Sequence, residues 1–571
     1  MVTNDFVEYL NTLHNEQAGN ENALGEAQQT NPHFSKIKVE RRAADYLETR
    51  IEGGDNACVI ILTGHAGDGK TTLLFQILEK LLKNKNQVID PSAPCGEINT
   101  NCGRIVRYYK DFSELTREER IEKFSSALET VNKGDYTIIV ANTGPLIETF
   151  KEVFREHEDA ESCIIDCMDA IGNHEKEIYG NRILTLNIAR LDNTSFIIPY
   201  GQKIVAEENW KKCATCASKE NCPIFFNACI VRENEQALQF VKDFYTWEQE
   251  YERRATIRQI SAHIAYSITG GLSCERVRKA AKKNWRFKYL FSTLFFGDMS
   301  RSVKASQIKG IKLIQESRIE YMNTSHDYDV FVRKAYKDVL PGALVSLCND
   351  IDAAGLNIIS PENKRRIIKR VLLMFPLGEE LSRELYQDVF SEYYPDYLQY
   401  ISTGATPKQS MKKIVCGALR MLFTGEQGES DDTIYITLRR SGEQMQNVQL
   451  LVGKISTSEI MIENRLEENS DASDARRHAL YLKYSNEDSG KTVYCKLSMP
   501  LLDYFSKTCN GLIIADVDPL LTHGIESMKA KLIAACRPMS KEENTVDLLV
   551  QEGNSWKKKS IYFSDADISQ A

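Results

Sequence analysis

The stretch Gly64-His65-Ala66-Gly67-Asp68-Gly69-Lys70-Thr71 decides how this chain is read, because it fills every fixed position of the phosphate-binding pattern G-x-x-x-x-G-K-[ST]. Before it, Ala57 to Thr63 (Ala-Cys-Val-Ile-Ile-Leu-Thr) is a short continuous apolar run rich in β-branched residues, the pattern of a buried parallel strand. After it, Thr71 to Leu82 carries apolar residues at helical spacing with no Gly or Pro. Glycines let successive backbone N–H groups turn into one concavity, and a helix N-terminus adds partial positive charge there. On this reading Gly64, His65, Ala66, Gly67, Asp68, Gly69, Lys70, Thr71 and Thr72 cradle ATP. Lys70 reaches the β- and γ-phosphates, and the Thr71 hydroxyl ligates Mg²⁺. A chance match in a glycine-rich turn is the plainer alternative.

Working outward, Arg104 to Tyr109 reads as the next clear strand, ending at Lys110-Asp111-Phe112-Ser113-Glu114. A carboxylate at the C-terminal end of a buried strand suits a second Mg²⁺ contact, so Asp111 takes that role and Glu114 polarises the attacking water. The same two residues could instead cap the helix Leu115 to Val131, and Asp166 in Cys163-Ile164-Ile165-Asp166 competes with Asp111. Asp135 to Gly144 reads as a buried strand that ends in a polar turn, which puts Asn142 beside the γ-phosphate; a turn-forming Asn is its bland reading. Ile183 to Ile188 is a further strand, followed by Arg190 and Asp192. Strands alternating with helical stretches predict a parallel α/β sheet. Downstream, the helical run from Ile257 to Tyr266 reads as a lid. Within it Arg258 senses the γ-phosphate or is simply an exposed helix-face arginine, and His263 is a core residue.

Cys213, Cys216, Cys222 and Cys229 open with C-x-x-C and fall within one short segment, a spacing that lets four thiols converge on one tetrahedral ion. Zinc is the expected ion; an iron–sulfur cluster and metal-free reduced thiols are the alternatives. The most basic stretch contains Arg276, Arg278, Lys279, Lys282, Lys283, Arg286 and Lys288 interleaved with Trp285, Phe287 and Tyr289. Such a pattern can track phosphates and stack bases, although a charge run on a helix is more often a solvated face.

At 571 residues the chain exceeds one core, and its 42% hydrophobic and 27% charged content is that of a globular protein. A formal charge of −8 gives no global attraction to nucleic acid, so DNA contact would need a local basic patch. No run of about 18 apolar residues occurs. A cytoplasmic protein that does not span a membrane is expected. Its 15 cysteines, spread over this length, are not a secreted disulfide framework. The domains are read as a mobile lead-in (1–35), an ATPase core (36–205), a cysteine-cluster insertion (206–232), a helical lid and middle region (233–425) and a mixed β-rich C-terminal domain (426–571).

Several of these stretches together resemble bacterial phage-defence P-loop ATPases, in particular the DptF-like ATPase component of DNA-phosphorothioation-dependent restriction. They are the Gly-Asp-Gly-Lys loop, Asp111-Phe112-Ser113-Glu114, Ala141-Asn142-Thr143-Gly144, Cys213/Cys216/Cys222-Pro223 and Ile257-Arg258-Gln259. The resemblance covers roughly residues 36–300. It implies a P-loop NTPase of AAA+/STAND-like kind that uses ATP and Mg²⁺, works with other subunits of a defence system, and acts on or responds to foreign DNA. A homo-oligomer could add an arginine finger from a neighbouring copy, with Arg182 and Arg190 as its candidates. A nucleotide-gated switch that recruits a partner, with slow hydrolysis, is the second reading.

Overall fold

The computed structural model describes residues 3–14, 30–53, 56–82, 89–169, 173–280, 285–297, 303–425, 432–438, 446–467, 472–474, 477–511, 517–538, 545–553 and 555–563. Two compact units emerge: residues 1–389 with 468–475, and residues 390–467 with 476–571.

The first unit opens with helix α1 (Asp5–Thr12), whose Phe6, Val7, Tyr9 and Leu10 are buried. A mobile lead-in was expected here. The apolar face of α1 instead packs into the unit, while residues 15–29 lie outside the described residues. The short helix α2 (Phe34–Ile37) and helix α3 (Arg42–Glu52) lead to strand β1 (Val59–Thr63), which is buried along its whole length. The glycine loop then runs into helix α4 (Lys70–Leu81). Strands β2 (Cys95–Asn99) and β3 (Ile105–Tyr109), helix α5 (Arg117–Asn132), strand β4 (Tyr136–Ala141) and helices α6 (Thr143–Val153) and α7 (Ala160–Asp169) follow. Strands β5 (Asn173–Ile178) and β6 (Asn181–Asn187) complete the sheet.

The six strands lie in the order β2-β3-β4-β1-β6-β5. Pairings β3–β4, β4–β1 and β1–β6 are parallel, whereas β2 and β5 join antiparallel at the two edges. The parallel sheet read from the sequence is therefore a mixed one with a parallel centre. At one edge the cause is local: Ile178 pairs with Asn181 around Tyr179 (φ 49°) and Gly180 (φ 77°), a tight hairpin turn that allows only an antiparallel return.

Alternation along β1 builds two cores. Ile60 and Leu62 pack with Leu47, Leu74, Ile77 and Leu78 on one face, and Val59 and Ile61 with Phe112, Phe124, Phe150 and Ile164 on the other. Helices thus cover both faces, and the unbroken apolar run of β1 is the sequence signature of a strand buried on both sides. Cys58, with no exposed surface, is one of the core residues.

Asp166 requires a correction. The run Cys163-Ile164-Ile165-Asp166 lies on α7, with Ile164 and Cys167 buried and Asp166 exposed, so it is not a carboxylate at a strand end. Three apolar residues are too few to separate a strand from one buried turn of helix.

The rest of the first unit is helical, beginning with α8 (Ile197–Val205), α9 (Glu207–Ala214), α10 (Pro223–Glu233), α11 (Gln236–Glu250), α12 (Ile257–Thr269) and α13 (Cys274–Ala280). His263 is a fully buried residue of α12: its Nε2 donates to the Phe295 carbonyl at 2.9 Å while Nδ1 faces the Tyr245 hydroxyl at 2.8 Å.

The second unit begins at residue 390, within the stretch read from the sequence as helical middle region. Its helix Gln409–Thr424 buries Val415, Leu419 and Phe423 and packs against helix Met499–Cys509 and strand β7 (Thr433–Thr437). β7 pairs with β8 (Val448–Ser456). Strands β9 (Ile460–Leu466), β10 (His478–Ser485) and β11 (Thr492–Leu497) form an antiparallel sheet in the order β11-β10-β9. Strands β12 (Arg537–Pro538), β13 (Thr545–Glu552) and β14 (Ser555–Tyr562) join β7 and β8 in a second antiparallel sheet. No helix among the described residues is long and apolar enough to cross a membrane.

Candidate functional site

The glycine loop bends through three left-handed positions, Gly64 (φ 144°), Gly67 (φ 92°) and Gly69 (φ 86°), where side chains are strained. Gly67 also needs its missing Cβ, which would sit 3.1 Å from the Thr256 Oγ1 and 3.2 Å from the Arg258 Cβ. This close approach joins the loop to the start of α12, where the Arg258 N–H donates to the Gly67 carbonyl at 3.0 Å. Thr256 and Gln259 form a reciprocal capping box there, so the helix begins at a defined residue and Arg258 occupies its first turn.

A cavity of about 600 Å³ opens at this junction, in the size range of small-ligand sites. Ala66, Gly67, Gly69, Lys70, Thr71 and Thr72 line it, and so do Asp111, Glu114, Asn142 and Arg258. The topology explains the convergence. β1, β4 and β3 are neighbours and parallel, so the residues just past their C-terminal ends, the glycine loop, Asn142 and Asp111, emerge on one rim. Asp111 and Glu114 are exposed there. The alternative in which they cap the following helix does not hold. Thr116 caps α5 with Glu119, while Asp111 accepts from the Ser113 N–H at 3.1 Å and caps only the short turn Phe112–Glu114.

Lys70 is buried at the centre. Its Nζ donates to the Gly64 carbonyl at 3.0 Å, the His65 carbonyl at 2.9 Å and Asn142 Oδ1 at 2.9 Å. Burial pushes its ammonium below the usual lysine value; the carboxylates of Asp68 and Asp111 oppose that shift, and Arg258 adds to it. Burial likewise lowers the Arg258 guanidinium. Two partly desolvated cations facing a cavity rimmed by exposed carboxylates suit a polyanion carried by a divalent cation.

Asp68 stands elsewhere than expected. It is 1% exposed and faces inward rather than lining the cavity. Its carboxylate accepts from Arg254 Nη1 at 3.0 and 3.2 Å, from the His65 N–H at 3.1 Å and from Asn193 Nδ2 at 3.3 Å. Arg254 also donates to the Ile188 carbonyl at 3.3 Å. The Asp68 side chain thus ties the loop to the segment after β6 and to the connection between α11 and α12. Gly64 and His65 also fall outside the cavity lining.

The opposite wall is apolar and aromatic. It is made by Tyr9 and Leu13 near α1, Phe34, Ile37 and Val39, and Phe196 with Tyr200, whose rings stack with centroids 4.6 Å apart. Gln76 of α4 holds the edge of this wall: its Nε2 donates to the Val39 carbonyl at 2.8 Å and its Oε1 accepts from the Arg41 N–H at 3.1 Å. Arg41 lines the cavity and ion-pairs with Asp474. Apart from Val39 and Arg41, which fall in the helical run Val39–Leu47 that the sequence shows before the first strand, none of these wall residues is singled out by the sequence. Nothing local announces Phe196 or Tyr200.

The remaining predicted groups lie apart from this cavity. Arg190 pairs with Asp169 at 2.5 Å and Arg182 lies 3.8 Å from Glu175. Of the basic stretch, Arg276, Lys279 and Lys288 are exposed, with Lys279 paired to Glu275 at 2.5 Å. Arg286 lies over the Phe226 ring at 5.3 Å, and Phe287 is buried, so that ring is a core residue rather than a stacking platform. Lys282 and Lys283 lie outside the described residues.

Cys213, Cys216 and Cys222 line one small cavity together with Cys274, which the sequence reading left out. Cys229 does not line it; its sulfur accepts from Arg232 Nη2 at 3.5 Å. Burial raises the Cys213 thiol and pushes that of Cys222 up to about 11. No group of three or more His, Cys, Asp or Glu side chains among the described residues is closed to metal-ligand spacing.

Comparison of the chain with protein-family models, with curated proteins and with solved structures returns no significant match.

Proposed function

We propose that this chain is a P-loop ATPase, and that it serves as the nucleotide-driven component of a bacterial defence complex acting on foreign DNA. The observation that carries the first half is the convergence of Lys70, Thr71, Asp111, Glu114, Asn142 and Arg258 on one cavity. In this reading Lys70 and the loop N–H groups hold the β- and γ-phosphates, and Thr71 and Asp111 hold Mg²⁺. Glu114 and Asn142 orient the attacking water, and Arg258 meets the γ-phosphate from the lid. The aromatic wall of Phe34, Phe196 and Tyr200 would receive the base. The second half rests on the family resemblance of the motifs.

A switch with slow hydrolysis is the second reading. It draws support from the bonds that join the loop to the lid, Arg254 to Asp68 and Arg258 to Gly67, because such bonds let phosphate occupancy bias the position of α12.

ATP binding and turnover by the purified chain, alone and with single- and double-stranded DNA, separate the readings. Lys70→Ala removes a charge-assisted phosphate contact and costs about 1.5–3 kcal/mol of binding. Unchanged turnover in that variant would overturn the site. Glu114→Gln is expected to abolish turnover while keeping binding, and tight binding with negligible turnover in the unmodified chain would favour the switch.

A further inference from the structure

Cys213, Cys216, Cys222 and Cys274 line one cavity of about 30 Å³. Cys213 lies in the last turn of α9, Cys216 follows in the turn, Cys222 caps α10, and Cys274 opens α13. Two of them already receive N–H donors, as ligating sulfurs do: Asn4 Nδ2 donates to the Cys213 Sγ at 3.3 Å and the Phe225 N–H to the Cys222 Sγ at 3.5 Å. The cavity wall also carries Lys219 and Arg278.

We propose that Cys213, Cys216, Cys222 and Cys274 bind one zinc ion, with Cys274 rather than Cys229 as the fourth ligand. Four thiolates satisfy tetrahedral zinc completely, which makes the site structural rather than catalytic. Four thiolates on Zn²⁺ leave a net double negative charge, which Lys219 and Arg278 offset and the two N–H donors disperse.

Residues Ala214 to Asn221 supply the reason for such a site. None of them is buried, so this turn has no core of its own and gains its order from an ion that binds both its ends. Closing the sulfurs to ligand spacing draws the turn onto the start of α13. Asn4 extends the coupling to α1, because the same side chain amide also donates to the Asn209 carbonyl at 2.9 Å and its oxygen accepts from the Phe6 N–H at 3.2 Å. Zinc would therefore pin together α1, the turn and the helix that follows the lid.

The test uses the full chain, purified without chelator and titrated with Zn²⁺ or Co²⁺ alone. Elemental analysis should find one zinc per chain, retained by Cys229→Ser and lost by Cys274→Ser. Cobalt should give the intense visible bands and sulfur-to-metal charge transfer of an all-thiolate tetrahedral site. If Cys274→Ser does not fold, alkylation of the metal-loaded unmodified chain decides. Protection of Cys213, Cys216, Cys222 and Cys274, released by chelator, supports the proposal; protection of Cys229 in place of Cys274 overturns it. It is equally overturned by iron in place of zinc, or by a chain that takes up neither metal.

Discussion

Asp68 shows how one side chain can support a cavity without lining it. It occupies a variable position of the phosphate-binding pattern, yet its carboxylate is buried against Arg254 and Asn193. Arg254→Met would leave that carboxylate buried and unpaired, a loss of about 3 kcal/mol by the usual measure of broken buried pairs. We expect a lowered thermal midpoint and weaker nucleotide binding for Arg254→Met, partly recovered when Asp68→Asn is added. No recovery in the double variant would mean that Arg254 acts through something other than Asp68. Asp243 gives a pH prediction. Gln239 and Tyr386 donate to it at 2.8 and 3.0 Å, yet burial outweighs these bonds and pushes its carboxyl up to about 6. The folded protein then holds a proton that the unfolded chain releases near pH 4. Stability from this group is complete below about pH 4 and falls as pH rises to about 6, by about 3 kcal/mol. Asp243→Asn should flatten the thermal midpoint against pH across that window.

At the scale of elements, the junction of the glycine loop with α12 is the part most sensitive to added volume. Gly67 combines a left-handed φ with Thr256 and Arg258 at contact distance, so Gly67→Ala strains the backbone and pushes the loop from the lid at once. The expected result is nucleotide affinity lowered about tenfold or more, the equivalent of about 1.4 kcal/mol, with Arg258 no longer protected by ligand in hydrogen exchange at the start of α12. Gly180, with nothing near its missing Cβ and far from the cavity in the β5–β6 hairpin, is the control: Gly180→Ala should cost some stability and leave binding intact. Strand β1 and helix α4 were legible because both patterns, a continuous apolar run and helical spacing, were long and interrupted only by the glycines. The Asp166 segment was misread because one buried turn of helix and a short strand present the same three apolar residues.

For the whole molecule, charge sets what DNA binding can look like. With a formal charge of −8, any association with DNA would rest on a local group, and in the basic stretch the exposed cations among the described residues are Arg276, Lys279 and Lys288. Three phosphate contacts give a slope of log affinity against log salt of about −3. Replacing all three by Ala should abolish that dependence if this face carries the contact; an unchanged slope would move the DNA site to another surface. The two compact units set a second condition, since residues 468–475 belong to the first unit although the strands on either side belong to the second. Asp474, assigned to the first unit, pairs with Arg41 beside the cavity.

The sequence alone determined the glycine loop with its strand and helix, the alternation of strands and helices that makes an α/β sheet, and the carboxylate and amide that close two of its strands. These are written in neighbouring residues, where periodicity and glycine placement act over a few positions. Tertiary structure decided which groups share a cavity. It brought Arg254 to Asp68, Phe196 and Tyr200 to the wall facing Lys70, and Cys274 rather than Cys229 to the other cysteines. Those pairings depend on strand order and on where helices return, and that order is set by the burial of two apolar faces at once, which no local pattern encodes.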